Sequence, residues 1–235
     1  MQQQMSQAMG YDRTSTMFSP DGRLLQVEYA RKTVKQGTPA IGIICKEGVL
    51  LVADKRVSER LIISKSVEKI FQIDNHIAAA ATGIISDGRI LVERAQVTAQ
   101  QHKVTFDEPI DIKSLVKEIC NVKQAYTQYG GARPFGVSIL FGGFDDEPRL
   151  FVTDPTGIFF EYKATAIGEY EDEIKEFLNS EYKEDMSIQE GLKLAIKALK
   201  KVLGKDFDSD RVCGACVCKN EEFRYLTKEE INKAK

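Results

Sequence analysis

The sequence predicts an α+β domain in which two apolar sheets lie face to face and pairs of helices cover their outer sides. Three observations carry this. The chain runs in blocks: two strand pairs, two helices, four strands, two helices and a closing strand pair, with no Pro/Gly/Ser-rich linker between blocks. Strand runs such as Ile77 to Thr82 and Phe135 to Phe144 are apolar throughout rather than alternating, which requires burial on both faces. The balance of 33 basic against 35 acidic residues, with 43% apolar, is that of an ordinary globular chain, and 235 residues can bury a large core.

Residues 1–10, MQQQMSQAMG, carry neither charge nor period and read as a mobile tail. At Ser19-Pro20-Asp21 the chain shows a helix start: an N-cap hydroxyl, Pro at the first helical position and an acid facing the macrodipole. Gly37 closes that helix, which spans about 20–36. Leu24, Val27, Ala30 and Val34 form one apolar stripe while Leu25 and Tyr29 lie on another side, so the helix is expected to sit between two bodies. Ala40 to Lys46 with Gly48 to Arg56, and Ile70 to Ile73 with Ile77 to Thr82, read as two hairpins.

Helical period follows from about Ser86 to Gln101, and again at Ile112, Leu115, Val116, Ile119, Val122 and Tyr126. After Gly130-Gly131 come strands at Phe135 to Phe144, Arg149 to Thr153, Ile158 to Tyr162 and Ala164 to Ile167. Helices return at Glu171 to Asn179 and Ser187 to Leu203, the latter opened by the capping box Ser187-x-x-Glu190. Strands Val212 to Cys218 and Glu222 to Leu226 precede a second box, Thr227-x-x-Glu230, and a short helix. The expected organisation is a tail over 1–12 and one domain over 13–235.

A net charge of −2 does not favour nucleic acid or anionic membranes as partners. The least polar charge-free run, Pro134 to Phe144, is about half the ~20 residues a spanning helix needs. No basic residue precedes Arg13 and no apolar signal region is present, so cytoplasmic residence is the default expectation. Five cysteines, an odd count, favour reduced thiols.

Several patterns invite chemistry and have plainer readings. Cys213-x-x-Cys216-x-Cys218 lacks a second CxxC pair to close a zinc site and reads as a small-residue buried strand, so no metal is expected. Gly130 to Gly136 has neither Walker spacing nor GxGxxG and reads as a turn; no cofactor is expected. Asp145-Asp146-Glu147-Pro148 reads as a solvated hairpin turn. Lys193, Lys197, Lys200 and Lys201 read as a wet face opposite Leu192, Ile196 and Leu199.

The segment YDRTSTMFSPDGRLLQVEYA, Tyr11 to Ala30, resembles the N-terminal signature of α-type subunits of the proteasome core particle, most closely the archaeal form. SVEKIFQID (Ser66 to Asp74), YTQYGGARPFGVS (Tyr126 to Ser138), DPTG (Asp154 to Gly157) and EYKATAIG (Glu161 to Gly168) extend the likeness in order along nearly the whole chain. The resemblance implies the four-layer αββα sandwich of the N-terminal nucleophile hydrolase fold with an extra N-terminal helix. It implies a non-catalytic subunit of a homo-heptameric outer ring, stacked on catalytic β-type subunits and passing unfolded protein substrates inward.

The same resemblance assigns Tyr11, Asp12, Arg13, Pro20 and Tyr29 to an axial gate. It assigns Gly37 and Lys69 to a pocket between neighbouring α subunits, where an AAA+ regulatory ATPase inserts a C-terminal tail ending in a hydrophobic residue, Tyr and a final residue. Lysine suits that task because the tail presents a carboxylate, and glycine permits close backbone approach. Twelve extended residues reach on the order of 40 Å, enough for a tail from a ring's rim to approach its axis.

Thr38, Asp54 and Lys69 stand at separations similar to those of the N-terminal Thr nucleophile, Asp and Lys of the β-type relatives. That chemistry needs a free α-amine on the threonine, hence cleavage of Gly37-Thr38, which would remove the segment carrying the α-type signature. The expectation is a non-enzymatic subunit, with a self-processed threonine hydrolase using Thr38 as the alternative.

Overall fold

The computed structural model describes residues 10–57, 61–63 and 66–234. Residues 1–9, most of the expected tail, lie outside the described residues. The first helix, α1, spans Leu25–Gln36 and starts later than Ser19-Pro20-Asp21 predicts. Ser19 to Gly22 close a turn instead: Gly22 N–H donates to Ser19 O at 2.8 Å, and Ser19 N–H to Arg23 O at 2.9 Å. Gly22, at φ +71°, turns the chain out of the helical path. Ser19 Oγ still accepts an N–H, that of Arg23 at 3.2 Å, so the capping hydroxyl serves a turn.

Strands β1 (Ala40–Cys45), β2 (Gly48–Asp54), β3 (Ile70–Asp74) and β4 (Ile77–Gly83) form the two expected hairpins. Helices α2 (Ile85–Phe106) and α3 (Ile112–Gln128) follow, then β5 (Val137–Phe144), β6 (Pro148–Thr153), β7 (Phe159–Glu161) and β8 (Ala164–Ile167). Helices α4 (Glu171–Glu181) and α5 (Ile188–Leu203), two 3-10 turns, β9 (Val212–Cys218), β10 (Arg224–Tyr225) and α6 (Lys228–Lys233) complete the chain. Both predicted capping boxes are formed, at Ser187 and at Thr227.

The strands make two five-stranded antiparallel sheets, ordered β10-β9-β2-β1-β8 and β3-β4-β5-β6-β7. Ile41, Ile43, Leu50 and Val52 point from the first sheet onto α4 and α5, while Val49, Leu51 and Ala53 point onto the second sheet. Ala79 and Ala81 of β4 meet α2 and α3, and Ala78 and Ala80 meet the first sheet. The result is the four-layer αββα sandwich, and burial on both faces is why the strands lack polar alternation. Small residues let the sheets approach closely: a Cβ on Gly42 would lie 2.6 Å from Leu150 Cδ1, and one on Gly142 2.7 Å from Val49 Cγ1.

Helix α1 spans layers, as its two apolar sides predict. Its buried residues are Leu25, Val27, Ala30 and Val34, with Leu25 on the second side. Arg31 pairs with Asp154 beyond β6 at 2.7 Å, and Lys35 reaches Asp172 and Glu171 of α4 at 3.2 and 3.5 Å.

Helix α3 departs from its predicted face at the C-terminal end. Lys123 and Thr127 turn inward, while Tyr126 turns out and packs on Phe135. Lys123 is 0% exposed. Its ammonium donates to Val137 O at 3.0 Å and Thr153 Oγ1 at 2.8 Å, and it forms no ion pair among the described residues. Burial pulls this amine down to about 8, partly opposed by Cys120 on α3 and Asp154 beyond β6.

Because the unfolded chain binds this proton up to about pH 10.4 and the folded chain only to about 8, the cost of burying Lys123 is full below pH 8. It disappears as pH rises toward 10.4. Lys123→Met removes this titration, so the stability of the wild-type chain relative to the variant should rise by on the order of 2 kcal/mol between pH 7 and pH 10. Paired denaturant titrations at each pH measure this; a constant difference would contradict it.

A buried threonine cluster and the segment before the first helix

Where α1 hands over to β1, the chain turns through Gly37-Thr38-Pro39. Gly37 ends the helix in an extended conformation, φ −74° and ψ 147°, so its role is room and not handedness. A Cβ there would lie 2.6 Å from Gly83 N and 2.8 Å from Thr82 Cγ2. Its carbonyl accepts Glu169 N–H at 2.7 Å. Gly168, at φ +99°, closes the same corner, since a Cβ on it would meet Thr82 Cγ2 at 2.6 Å.

Thr38, Lys69 and the backbone of Asp54 come together. Lys69 Nζ donates to Thr38 O at 2.6 Å and also bonds Thr38 Oγ1. Thr82 Oγ1 donates to Thr38 O at 3.2 Å, and Thr38 Oγ1 donates to the Asp54 carbonyl at 2.8 Å. Lys69 is 3% exposed; burial pulls its amine down to about 8, with Cys213 and Asp54 opposing and Arg56 adding to the fall.

The Asp54 carboxylate, 1% exposed, forms a bidentate pair with Arg211, at 3.1 Å to Nε and 2.6 Å to Nη2. Arg56 stands at 3.9 Å from Asp54 and continues to Glu169 at 3.0 Å. Nucleophile chemistry at Thr38 would need a free α-amine beside its hydroxyl, and so a cut at the Gly37-Thr38 bond that joins it to α1.

Of the residues assigned to a gate, Asp12 and Tyr29 meet: Tyr29 Oη donates to Asp12 Oδ2 at 3.4 Å. Gln26, which no motif singles out, donates to the Asp12 carbonyl at 2.6 Å and fixes the segment to α1. Tyr11 is half-buried, Arg13 exposed with its N–H on Gly10 O, and Pro20 exposed at the turn. Ser15 Oγ reaches Tyr129 O at 3.5 Å, and a concavity of about 420 Å³ lies between residues 13–16 and Gly130 to Arg133.

The remaining patterns take structural places. Cys213, Cys216 and Cys218 lie on β9, and burial pushes the first two thiols up to about 11 and about 12. Among the described residues no group of three His, Cys, Asp or Glu side chains could hold a metal ion. Asp145 accepts Ile112 N–H at 3.1 Å at the start of α3, a capping contact. Lys193, Lys197 and Lys201 line the exposed side of α5, where Lys197 and Lys201 cover the Phe177 ring. No helix among the described residues is long and apolar enough to cross a membrane.

A two-sheet sandwich with a threonine, acid and lysine at one end, preceded by a helix in unbroken chain, defines a subunit built on the N-terminal nucleophile hydrolase plan. The chain belongs to the proteasome subunit family: the family model for proteasome subunits matches residues 34–218, and the model for the N-terminal signature of A-type proteasome subunits matches 11–32. It is similar to the proteasome alpha subunit of Methanocaldococcus jannaschii, 50% identical over 98% of this chain and 88% of the relative. The proteasome alpha subunit of Archaeoglobus fulgidus is 48% identical over 95% of this chain and 91% of its own length. That of Methanosarcina barkeri is 49% identical over 97% and 92%.

Arg211 is the sole partner within 3.5 Å that the described residues give the Asp54 carboxylate. Removing it strands a buried charge, so Arg211→Ala should cost about 3–5 kcal/mol in urea denaturation, and a loss under about 1 kcal/mol would contradict the pairing.

Proposed function

We propose that this chain is a non-catalytic α-type subunit that forms a homo-heptameric outer ring of a proteasome core in the cytoplasm, stacks on β-type subunits, gates passage of unfolded protein substrates and docks an activating ATPase. The observation that carries the non-catalytic reading is the seating of the segment before Thr38, in which α1 carries the end of the A-type signature and buries Leu25, Val27, Ala30 and Val34. Freeing the amine that nucleophile chemistry needs would cut that helix from the domain, and the Thr38 hydroxyl donates to the Asp54 carbonyl. Neither nucleic acid nor membrane is a partner in this reading.

The gating role draws support from the Asp12 contacts with Tyr29 and Gln26, which tie the base of the N-terminal segment to α1. Seven identical tails cannot share one axial point, so the closed state is a crowded plug and opening holds the tails upright. Arg13, exposed beside them, and Tyr11 and Pro20 in the same stretch complete the gate.

The docking role draws support from the corner around Gly37. An ammonium offers three N–H donors, of which Thr38 takes two, leaving one for the carboxylate of an ATPase tail ending in a hydrophobic residue, Tyr and a final residue. Native mass of the chain expressed alone should be that of a ring, a multiple of 26.4 kDa. In particles assembled with β-type subunits, deleting residues 2–12 should raise hydrolysis of short peptides without an activator. Lys69→Ala should leave that basal rate in place and remove stimulation by the ATPase. Unchanged hydrolysis after the deletion would overturn the gate, and intact stimulation of the lysine variant would overturn the docking role.

A further inference from the structure

Between the Gly37 corner and the gate segment lies an ion pair that neither assignment uses. Arg133, just past Gly130-Gly131, grips Asp87 in the first turn of α2 with both ends of its guanidinium, at 2.6 and 2.7 Å. Its Nη1 also donates to Pro134 O at 3.0 Å. The same Asp87 carboxylate accepts Gly136 N–H at 2.9 Å. Burial pushes this carboxyl up, but Arg133 and the Gly136 N–H more than offset that and leave it below the usual range.

The pair stands in a line of contacts that runs from the Gly37 corner to Ser15. On one side Gly136 O accepts Ile84 N–H at 2.9 Å. A Cβ on Gly83 would lie 2.2 Å from Gly136 O, and one on Gly37 2.6 Å from Gly83 N, so these backbones are in direct contact. Thr82, next in the chain, donates to the Thr38 carbonyl that Lys69 also holds. On the other side Arg133 ends the turn whose first residue, Tyr129, receives Ser15 Oγ of the gate segment. That turn has room to move: Gly131 sits at φ +85° with nothing within 4 Å of a would-be Cβ, and Gly130 is equally open.

We propose that the Asp87–Arg133 ion pair is the positioning contact through which occupancy of the Gly37–Lys69 pocket reaches the gate segment. This rests on the docking role proposed above. A carboxylate that takes the remaining Lys69 donor pulls on the Thr38 carbonyl that Lys69 and Thr82 share, and so on the Gly37–Gly83 contact beside it. Gly83 bears on Gly136, whose N–H is held by Asp87. Arg133 then carries the displacement into the Tyr129 to Arg133 turn, whose Tyr129 carbonyl accepts the Ser15 hydroxyl of the gate segment. A bidentate guanidinium transmits orientation as well as position, which a point charge does not.

The test uses particles assembled with β-type subunits and a synthetic peptide ending in a hydrophobic residue, Tyr and a final residue. Two quantities are read: peptide binding by fluorescence anisotropy, and the ratio of stimulated to resting hydrolysis of a short substrate. Arg133→Ala and the isosteric Asp87→Asn, which keeps an acceptor for Gly136 N–H, should bind the tail peptide within about twofold of wild type while the ratio falls toward one. Arg133→Lys, which keeps the charge without the fork, should recover part of the ratio. A wild-type ratio in both Arg133→Ala and Asp87→Asn would overturn the proposal. So would loss of binding together with the ratio, which would make the pair part of the pocket. A wild-type particle that fails to bind the peptide would refute the docking role before any variant is compared.

Discussion

The Thr38 carbonyl is the point to which the upper end of the sandwich is tied. Lys69 from the start of β3 and Thr82 from the end of β4 both donate to it, while the Thr38 hydroxyl reaches across to the Asp54 carbonyl at the end of β2. Those three strands lie in two different sheets, so one residue in the linker from α1 joins both layers. The arrangement holds because Gly37 and Gly168 carry no side chains, which lets backbones meet where any Cβ would collide. A buried lysine without a counter-ion is costly, and two of its three donors here go to one backbone carbonyl and one hydroxyl. The same groups that would attack and activate in a cleaved relative therefore act as a clamp in the uncleaved chain.

The clamp depends on how near the two sheets lie. Gly42, Gly142, Ala78 and Ala80 thin the interface between them, and Leu150, Val49 and Leu51 fill the space so created. Larger residues face the helices, where Ile41, Ile43 and Leu50 meet α5, and Phe141 and Phe151 meet the pair α2 and α3. Asp54 can be buried at the rim of this interface because Arg211 neutralises it in fork geometry. With its layers held from both sides, the sandwich offers α1 a rigid seat. Arg31 and Lys35 then fasten that helix to opposite layers.

Much of this was legible in the sequence wherever a local signal and a tertiary one agree. Apolar strand runs and both capping boxes are of that kind. The start of α1 was not, because Ser19-Pro20-Asp21-Gly22 satisfies the chemistry of a helix N-terminus and of a turn equally well, and Gly22 at φ +71° decides for the turn. Lys123 was invisible because period marks it as one side of a helix while residue type marks it as solvent-facing. Its burial depends on Val137 O and Thr153 Oγ1, which other elements bring. Arg211 with Asp54, Arg133 with Asp87 and Gln26 with the Asp12 carbonyl join residues far apart in the chain, and no spacing rule reaches across such distances.

The central claim is that Thr38 works as a clamp inside a continuous chain and not as a nucleophile at a chain terminus. Intact-mass and N-terminal analysis of the protein recovered from particles assembled with β-type partners tests it most directly. The account predicts one species in which the Gly37-Thr38 bond is unbroken. A population of chains beginning at Thr38 would contradict it, because the freed α-amine would stand beside the hydroxyl and Lys69 in the arrangement that threonine catalysis requires.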